Sequence, residues 1–195
     1  MFIIYRKGRD EILFLDERGY KKSMKRVTDI RFLTVGQKIK NTRKQLKMKQ
    51  NELEAAGITR NFISMIENNK RKPNKEVAKK IVEIFKKKAL ELGMNINLDE
   101  DQLLMTPEEQ AENYCLKKMN DKEEVLDIEE IIEIAKKYDL QEILAQIYII
   151  KANKLYNERN YDLAFSYYYD CLDIYSKLQK NHKNAYLYNK LGKCK

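Results

Sequence analysis

Between residues 34 and 105, apolar side chains return at the spacing of helices that each bury one face. Thr34 can cap a first helix in which Val35, Ile39 and Leu46 share a side with Arg43, and Lys47-Met48-Lys49 ends it. Residues 50–56 are rich in helix formers. Gly57 supplies a left-handed turn residue, and Thr59 is a good N-cap for the next short helix. There Ile63 and Ile66 face a core, while Arg60, Asn61, Ser64 and Met65 face outward. A polar, cationic loop follows, Asn68-Asn69-Lys70-Arg71-Lys72, and Pro73 leads into a long helix carrying Val77, Ile81, Ile84, Phe85 and Leu92 on one side. Gly93 stops that helix, and Leu98, Leu103 and Leu104 make a short closing one. The pattern predicts a small five-helix domain over 34–105.

Residues 106–195 are all helix by pattern. Pro107 can open a helix through Met119 and Asp127 another through Tyr138. Residues 141–157 and 161–180 then form an antiparallel pair joined at Glu158-Arg159-Asn160. Residues 1–33 are less legible. Segments 2–6 and 11–16 have strand-like composition, and Lys7-Gly8-Arg9-Asp10 can turn between them, which predicts a short hairpin. A second reading stands beside it, in which Met24 is the true start and Glu17-Arg18-Gly19 reflects a purine-rich ribosome-binding stretch.

Charge separates the two halves. Residues 1–88 hold 25 Lys and Arg against 10 Asp and Glu, a balance of +15, whereas residues 89–195 hold 14 against 20, a balance of −6. A basic front half suits a polyanion, and the acidic remainder suits another task. No run of eighteen apolar residues exists, and the N-terminus lacks the order of a secretory signal, so a cytoplasmic protein away from membranes is expected. Cys115, Cys171 and Cys194 are widely spaced and His182 is the lone histidine, which offers neither a zinc set nor a disulfide framework. His182 has no nucleophile beside it, no phosphate-cradling glycine loop is present, and acid pairs such as Glu129-Glu130 point apart on a helix. The expectation is a protein without catalytic residues, metal or cofactor.

Two short helices around a glycine turn, with a basic loop after the second, follow the logic of a helix-turn-helix. The second helix of that motif enters the DNA major groove. Arginine grips guanine O6 and N7 with two hydrogen bonds, and asparagine does the same at adenine N6 and N7. The elements Val35-Gly36, Ile39, Arg43, Gln50, Leu53, Gly57-Ile58-Thr59, Ile63-Ser64, Ile66-Glu67 and Lys70-Arg71-Lys72-Pro73 together resemble the DNA-binding domain of the Cro/cI or xenobiotic-response-element (XRE) family. The resemblance implies an all-α domain acting on double-stranded DNA, with the recognition helix near residues 59–68. It implies that Gln50 touches phosphate and that Arg60, Asn61 and Met65 hold base-reading positions, with Thr59 and Ser64 on the same surface. Asn68, Lys70 and Arg71 would hold the sugar-phosphate backbone, and Arg43 would pair with Glu67. Two departures stand out. The stretch between Leu53 and Gly57 is one residue shorter than the family's, and Glu54 sits where alanine is usual, which bears on the angle of the recognition helix.

Further on, Tyr148, Ala152, Tyr161, Ala164, Tyr168 and Cys171 fall on the small-and-aromatic spacing of a tetratricopeptide repeat. Tyr188 and Gly192 follow Tyr148 and Ala152 by forty residues, a long-armed version of its period. The combined architecture resembles the Rgg/NprR/PlcR/PrgX group of peptide-pheromone receptors, in which a helical solenoid binds a short signalling peptide on its concave face. By position, Gln146, Asn153, Tyr156, Asn157, Tyr186 and Asn189 lie on the inner face and would meet that peptide. The sequence stops partway through the first helix of a second repeat, so either a longer protein continues or a partner chain covers the end, and the former is the expectation. Three function classes are weighed: a dimeric regulator that senses a peptide, a plain repressor or antitoxin with an oligomerising tail, and an enzyme. Only the last lacks any supporting residues.

Overall fold

A computed structural model of the protein describes residues 3–4, 13–14, 32–121 and 126–194. The chain divides into two units, Met1–Pro107 and Glu108–Lys195, each of which is described by itself. The architecture is all-α, with one small antiparallel pairing near the N-terminus between β1 (Ile3–Ile4) and β2 (Leu13–Phe14), where Ile3 faces Phe14 and Ile4 faces Leu13. The turn expected at Lys7 to Asp10 and the alternative start at Met24 lie outside the described residues.

In the first unit, α1 (Val35–Gln45) begins with a reciprocal cap. The Thr34 hydroxyl accepts from the Gln37 N–H at 3.2 Å, and the Gln37 side-chain Oε1 accepts from the Thr34 N–H at 3.0 Å. Residues Gln50–Ala56 form a 3₁₀ helix rather than an α-helix, burying Leu53 and Ala56. Gly57 closes it at φ 78°, a conformation that costs glycine nothing. Thr59 then caps α2 (Arg60–Glu67) by accepting from the Phe62 N–H, and Asn69 ends that segment at φ 58°. Asn74 caps α3 (Lys75–Glu91), and Asp99 caps α4 (Glu100–Leu104). The Lys38 ammonium donates to the carbonyls of Gln102 and Met105 at 2.5 and 2.7 Å, tying α1 to the C-terminal end of α4.

Ile39, Leu46, Leu53, Ile63, Ile66, Ile81, Phe85 and Leu103 form the centre of this unit, each at most 1% exposed. The stripe on α3 differs from the predicted one. Ala78, Ile81, Val82, Phe85 and Ala89 are buried, Val77 and Ile84 are half-buried, and Leu92 is 44% exposed. The spacing 78, 81/82, 85, 89 keeps one face of a 3.6-residue helix, and Leu92 falls at its C-cap, beyond the stripe.

The second unit contains α5 (Pro107–Asn120), α6 (Ile128–Lys137), α7 (Gln141–Asn157), α8 (Tyr161–Lys177), a 3₁₀ turn at Asn181–Lys183 and α9 (Asn184–Lys193). Helix α8 ends three residues before the predicted 180, because Gln179 turns the chain at φ 57°. Asp139 and Arg159 turn it in the same way at φ 53° and 62°, so a left-handed residue recurs every twenty positions. Helices α7 and α8 are each seventeen residues long and are joined by a short turn. Ala152 and Ala164 are fully buried between α7 and α8 and let the backbones approach. Edge-on aromatic pairs, Tyr148–Tyr167 and Tyr156–Tyr161, both with centroids 5.2 Å apart, fill the space on either side.

Candidate nucleic-acid interface

The C-terminal end of α2 is anchored by a buried ion pair. Arg43 from α1 donates through Nε to Glu67 Oε1 at 2.6 Å and through Nη2 to Oε2 at 2.9 Å, a two-pronged contact. Its remaining Nη1 donates to the Met48 carbonyl at 2.8 Å. Gln50, at the start of the 3₁₀ helix, donates through Nε2 to Glu67 Oε2 at 2.8 Å. One carboxylate therefore fastens three consecutive elements. Burial of Glu67 would by itself raise its pKa. The hydrogen bonds from Arg43 and Gln50, with the charges of Arg43 and Lys40, outweigh that and hold the carboxyl below its usual range. The same hydrogen bond raises Arg43 further, against its own desolvation.

Gly36 sets how closely α1 approaches the end of α2. A Cβ there would lie 2.1 Å from the Ile66 carbonyl oxygen and 2.7 Å from Asn69 Oδ1. No side chain other than hydrogen fits.

On this base α2 presents Arg60, Asn61 and Met65 to solvent, with Met65 42% exposed. The guanidinium of Arg60 and the amide of Asn61 have no hydrogen-bond partner among the described residues, and neither do the side chains of Lys70 and Arg71 in the following loop. Ser64 is half-buried on the same helix. The remaining sequence-predicted contacts are already engaged within the domain. The Thr59 hydroxyl caps α2 and keeps its own hydrogen to donate. Asn68 donates through Nδ2 to the Ser64 carbonyl at 2.8 Å and, at 3.5 Å, to the Ser64 hydroxyl, so its carbonyl oxygen is the group left for an outside donor. Gln50 likewise spends one amide hydrogen on Glu67, so a phosphate would take only the second.

One participant is absent from the sequence-based set. Glu54 Oε1 accepts from the backbone N–H of Arg60 at 3.1 Å, placing a carboxylate on the first turn of α2. The signal was the glutamate itself, at a position where the resemblance leads one to expect alanine.

The second unit gathers part of the inner-face set. Asn153 Oδ1 accepts from the hydroxyls of Tyr168 (2.7 Å) and Tyr186 (3.2 Å). Tyr156, Tyr168 and Tyr186 surround the Lys190 ammonium at 5.4, 6.0 and 5.6 Å from their ring centres. Gln146 and Tyr186 line a cavity of about 490 Å³ with Met119, Ile149, Ile150, Tyr175, His182 and Lys183. Asn157 and Asn189 are exposed and stand apart from this cluster. Among the described residues no group of His, Cys, Asp or Glu could hold a metal ion, and no helix is long and apolar enough to cross a membrane.

Residues 39–92 match the family model described as a helix-turn-helix. The match spans α1 from Ile39, the 3₁₀ helix, α2 and α3, the segment in which the ion-paired scaffold and the open face of α2 are found. The match supports an XRE-type helix-turn-helix in this segment and a regulator that works on DNA; the matched family is one of DNA-binding domains. No curated protein and no solved structure matches the chain.

Proposed function

We propose that the protein is a sequence-specific transcriptional regulator, working in the cytoplasm as a homodimer on double-stranded DNA. Helix α2 enters the major groove. Arg60 takes a guanine edge, Asn61 an adenine edge, and Met65 makes apolar contact with bases, while Gln50, Thr59, Ser64, Asn68, Lys70 and Arg71 hold the flanking phosphates and sugars. The observation that carries this reading is the pairing of a rigid, ion-paired base, Arg43–Glu67–Gln50, with unpartnered Arg60 and Asn61 at the N-terminus of α2. Recognition helices of this kind present those first residues to base edges. The second unit then joins two copies, or takes a short signalling peptide along Gln146, Asn153, Tyr156, Asn157, Tyr186 and Asn189. The convergence of Asn153, Tyr156 and Tyr186 and the cavity beside Gln146 support that role.

A second reading, a simple repressor or antitoxin whose helical tail binds only protein, is favoured by exposed Tyr161, Leu163 and Tyr169 on α8. Selection from a random duplex pool, repeated across salt concentrations, tests the shared core of both. A recovered two-fold motif supports a dimeric regulator. Steep salt dependence with no motif would reduce the protein to a basic module. Titration with synthetic peptides then tests the peptide-sensing form of the first reading, which alone expects a saturable shift in DNA affinity.

A further inference from the structure

We infer that Glu54 is a specificity-determining residue of the DNA interface, reading a cytosine amino group beside the base taken by Arg60. The inference rests on the reading of α2 as a recognition helix and adds to it a contact from outside that helix. Three observations carry it. Glu54 Oε1 is held by the N–H of Arg60, the first residue of α2, so the carboxylate is fixed at the end of the helix where base edges are read. Its second oxygen has no partner among the described residues, and the side chain is exposed. The 3₁₀ helix buries Ala56, at 2% exposure, as its small contact residue, so Glu54 is turned outward instead of into the core.

An ionised carboxylate only accepts hydrogen bonds. On DNA, phosphate oxygens, guanine O6 and N7 and thymine O4 are acceptors as well and repel it. In the major groove, cytosine N4 and adenine N6 are the donors, and adenine sets its N7 acceptor beside the amino group. Cytosine is therefore the base that suits Glu54. The same charge disfavours a register in which phosphate approaches this end of α2, so it lowers non-specific affinity while leaving the cognate site bound. A glutamate that served only as a cap would share the effect of charge on non-specific affinity but would set no base preference.

The test is selection from a random duplex pool with the full chain as wild type, Glu54→Ala, Glu54→Gln and Arg60→Ala. Glutamine keeps an acceptor for the Arg60 N–H and pairs with adenine N6 and N7. The expected result is a wild-type half-site with one cytosine that becomes degenerate in Glu54→Ala, with a roughly tenfold loss of discrimination there. In Glu54→Gln that position changes to adenine, while a separate position loses its guanine only in Arg60→Ala. Binding to unrelated DNA should rise in both Glu54 variants. If Glu54→Ala does not fold, the base change in Glu54→Gln decides alone. Motifs identical to wild type in both Glu54 variants would overturn the inference and leave the recognition helix standing. A wild type that recovers no motif would overturn the recognition reading and the inference with it.

Discussion

Arg60 and Lys70 are both exposed cations without a partner among the described residues, yet the proposed interface gives them different work. Arg60 stands at the start of α2, where a guanidinium reaches a base edge. Lys70 follows the end of α2, where an ammonium meets phosphate as a point charge. Replacing Arg60 by alanine should remove the guanine preference at its position, a roughly tenfold to hundredfold loss of discrimination per half-site, while the unfolding temperature stays within a degree or two, since no described residue bonds its guanidinium. Lys70→Ala should weaken cognate and random DNA about equally and reduce the slope of log affinity against log salt by about one unit. Fluorescence anisotropy at several salt concentrations measures both. The cysteines test the second unit at the same scale. Burial pushes the Cys115 and Cys171 thiols up to about 12, and both are fully buried, whereas Cys194 is half-exposed and less strongly raised. Alkylation near pH 8 should label Cys194 well before the other two, and denaturant should make all three equivalent. Uniform fast labelling of the native protein would contradict the packing of α5 and α8.

Elements are held in register by very few groups, and those groups set the expected failures. Glu67 links α1, the 3₁₀ helix and α2, and its side chain is 2% exposed. Glu67→Ala would leave Arg43 without its carboxylate and should cost about 3 kcal/mol, the low end for a broken buried pair, because Arg43 keeps the Met48 carbonyl. The folded pKa of Glu67 lies below its unfolded value. The stability it contributes is thus complete above about pH 4.3 and is lost as pH falls through the lower folded value. Thermal unfolding followed from pH 6 to pH 2.5 should show this decline in the wild type and a shallower one in Glu67→Gln. Gly36→Ala should cost about 1–3 kcal/mol by forcing α1 away from the Ile66 carbonyl, and DNA affinity should fall with it because α2 moves. Much of this layer was legible in the sequence. Thr34 and Thr59 are capping residues next to apolar periodicity, and Gly57 marks its turn, because such signals are local; the cap at Asn74 was missed beside Pro73. The 3₁₀ form of Gln50–Ala56 was not legible. A 3₁₀ helix rises about 2.0 Å per residue against about 1.5 Å in an α-helix, so a segment one residue short of the family's still covers the distance to Gly57. That choice is made by the two ends it must join, the Arg43–Glu67–Gln50 network and the capped start of α2. The outward turn of Glu54 follows from the same stretch, which is why the glutamate was readable as a departure and its hydrogen bond to Arg60 was not. Leu92 fell outside its predicted stripe for a related reason, since periodicity does not say at which turn the neighbouring core ends.

At the scale of the whole molecule, the arithmetic of recognition argues for two copies on DNA. The base-facing residues Arg60, Asn61 and Met65 at roughly 2 kcal/mol each give about 6 kcal/mol of discrimination. Finding one site among about a million competitors needs about 8 kcal/mol, which one α2 does not reach and two exceed. The charge balance points the same way. A balance of +15 over residues 1–88 suits affinity for any duplex but carries no choice among sequences, and in the proposed dimer that choice comes from doubling the read surface. A balance of −6 over residues 89–195 does not favour DNA, which suits the proposed role of that half in joining copies. A rigid dimer presents its recognition helices one helical turn apart, so half-site spacing becomes a direct measure of assembly. Inserting five base pairs between the half-sites of a selected operator turns one of them to the opposite side of the duplex. Affinity should then fall at least tenfold toward that of a single half-site, and ten inserted base pairs should restore part of it if the joined copies can span two turns. Footprinting should then show one half-site protected in the five-base-pair case and both in the parent operator. Affinity and stoichiometry unchanged by the half-turn insertion would mean that each copy binds by itself. The helical second unit would then have to be assigned to a partner other than a second copy of this chain.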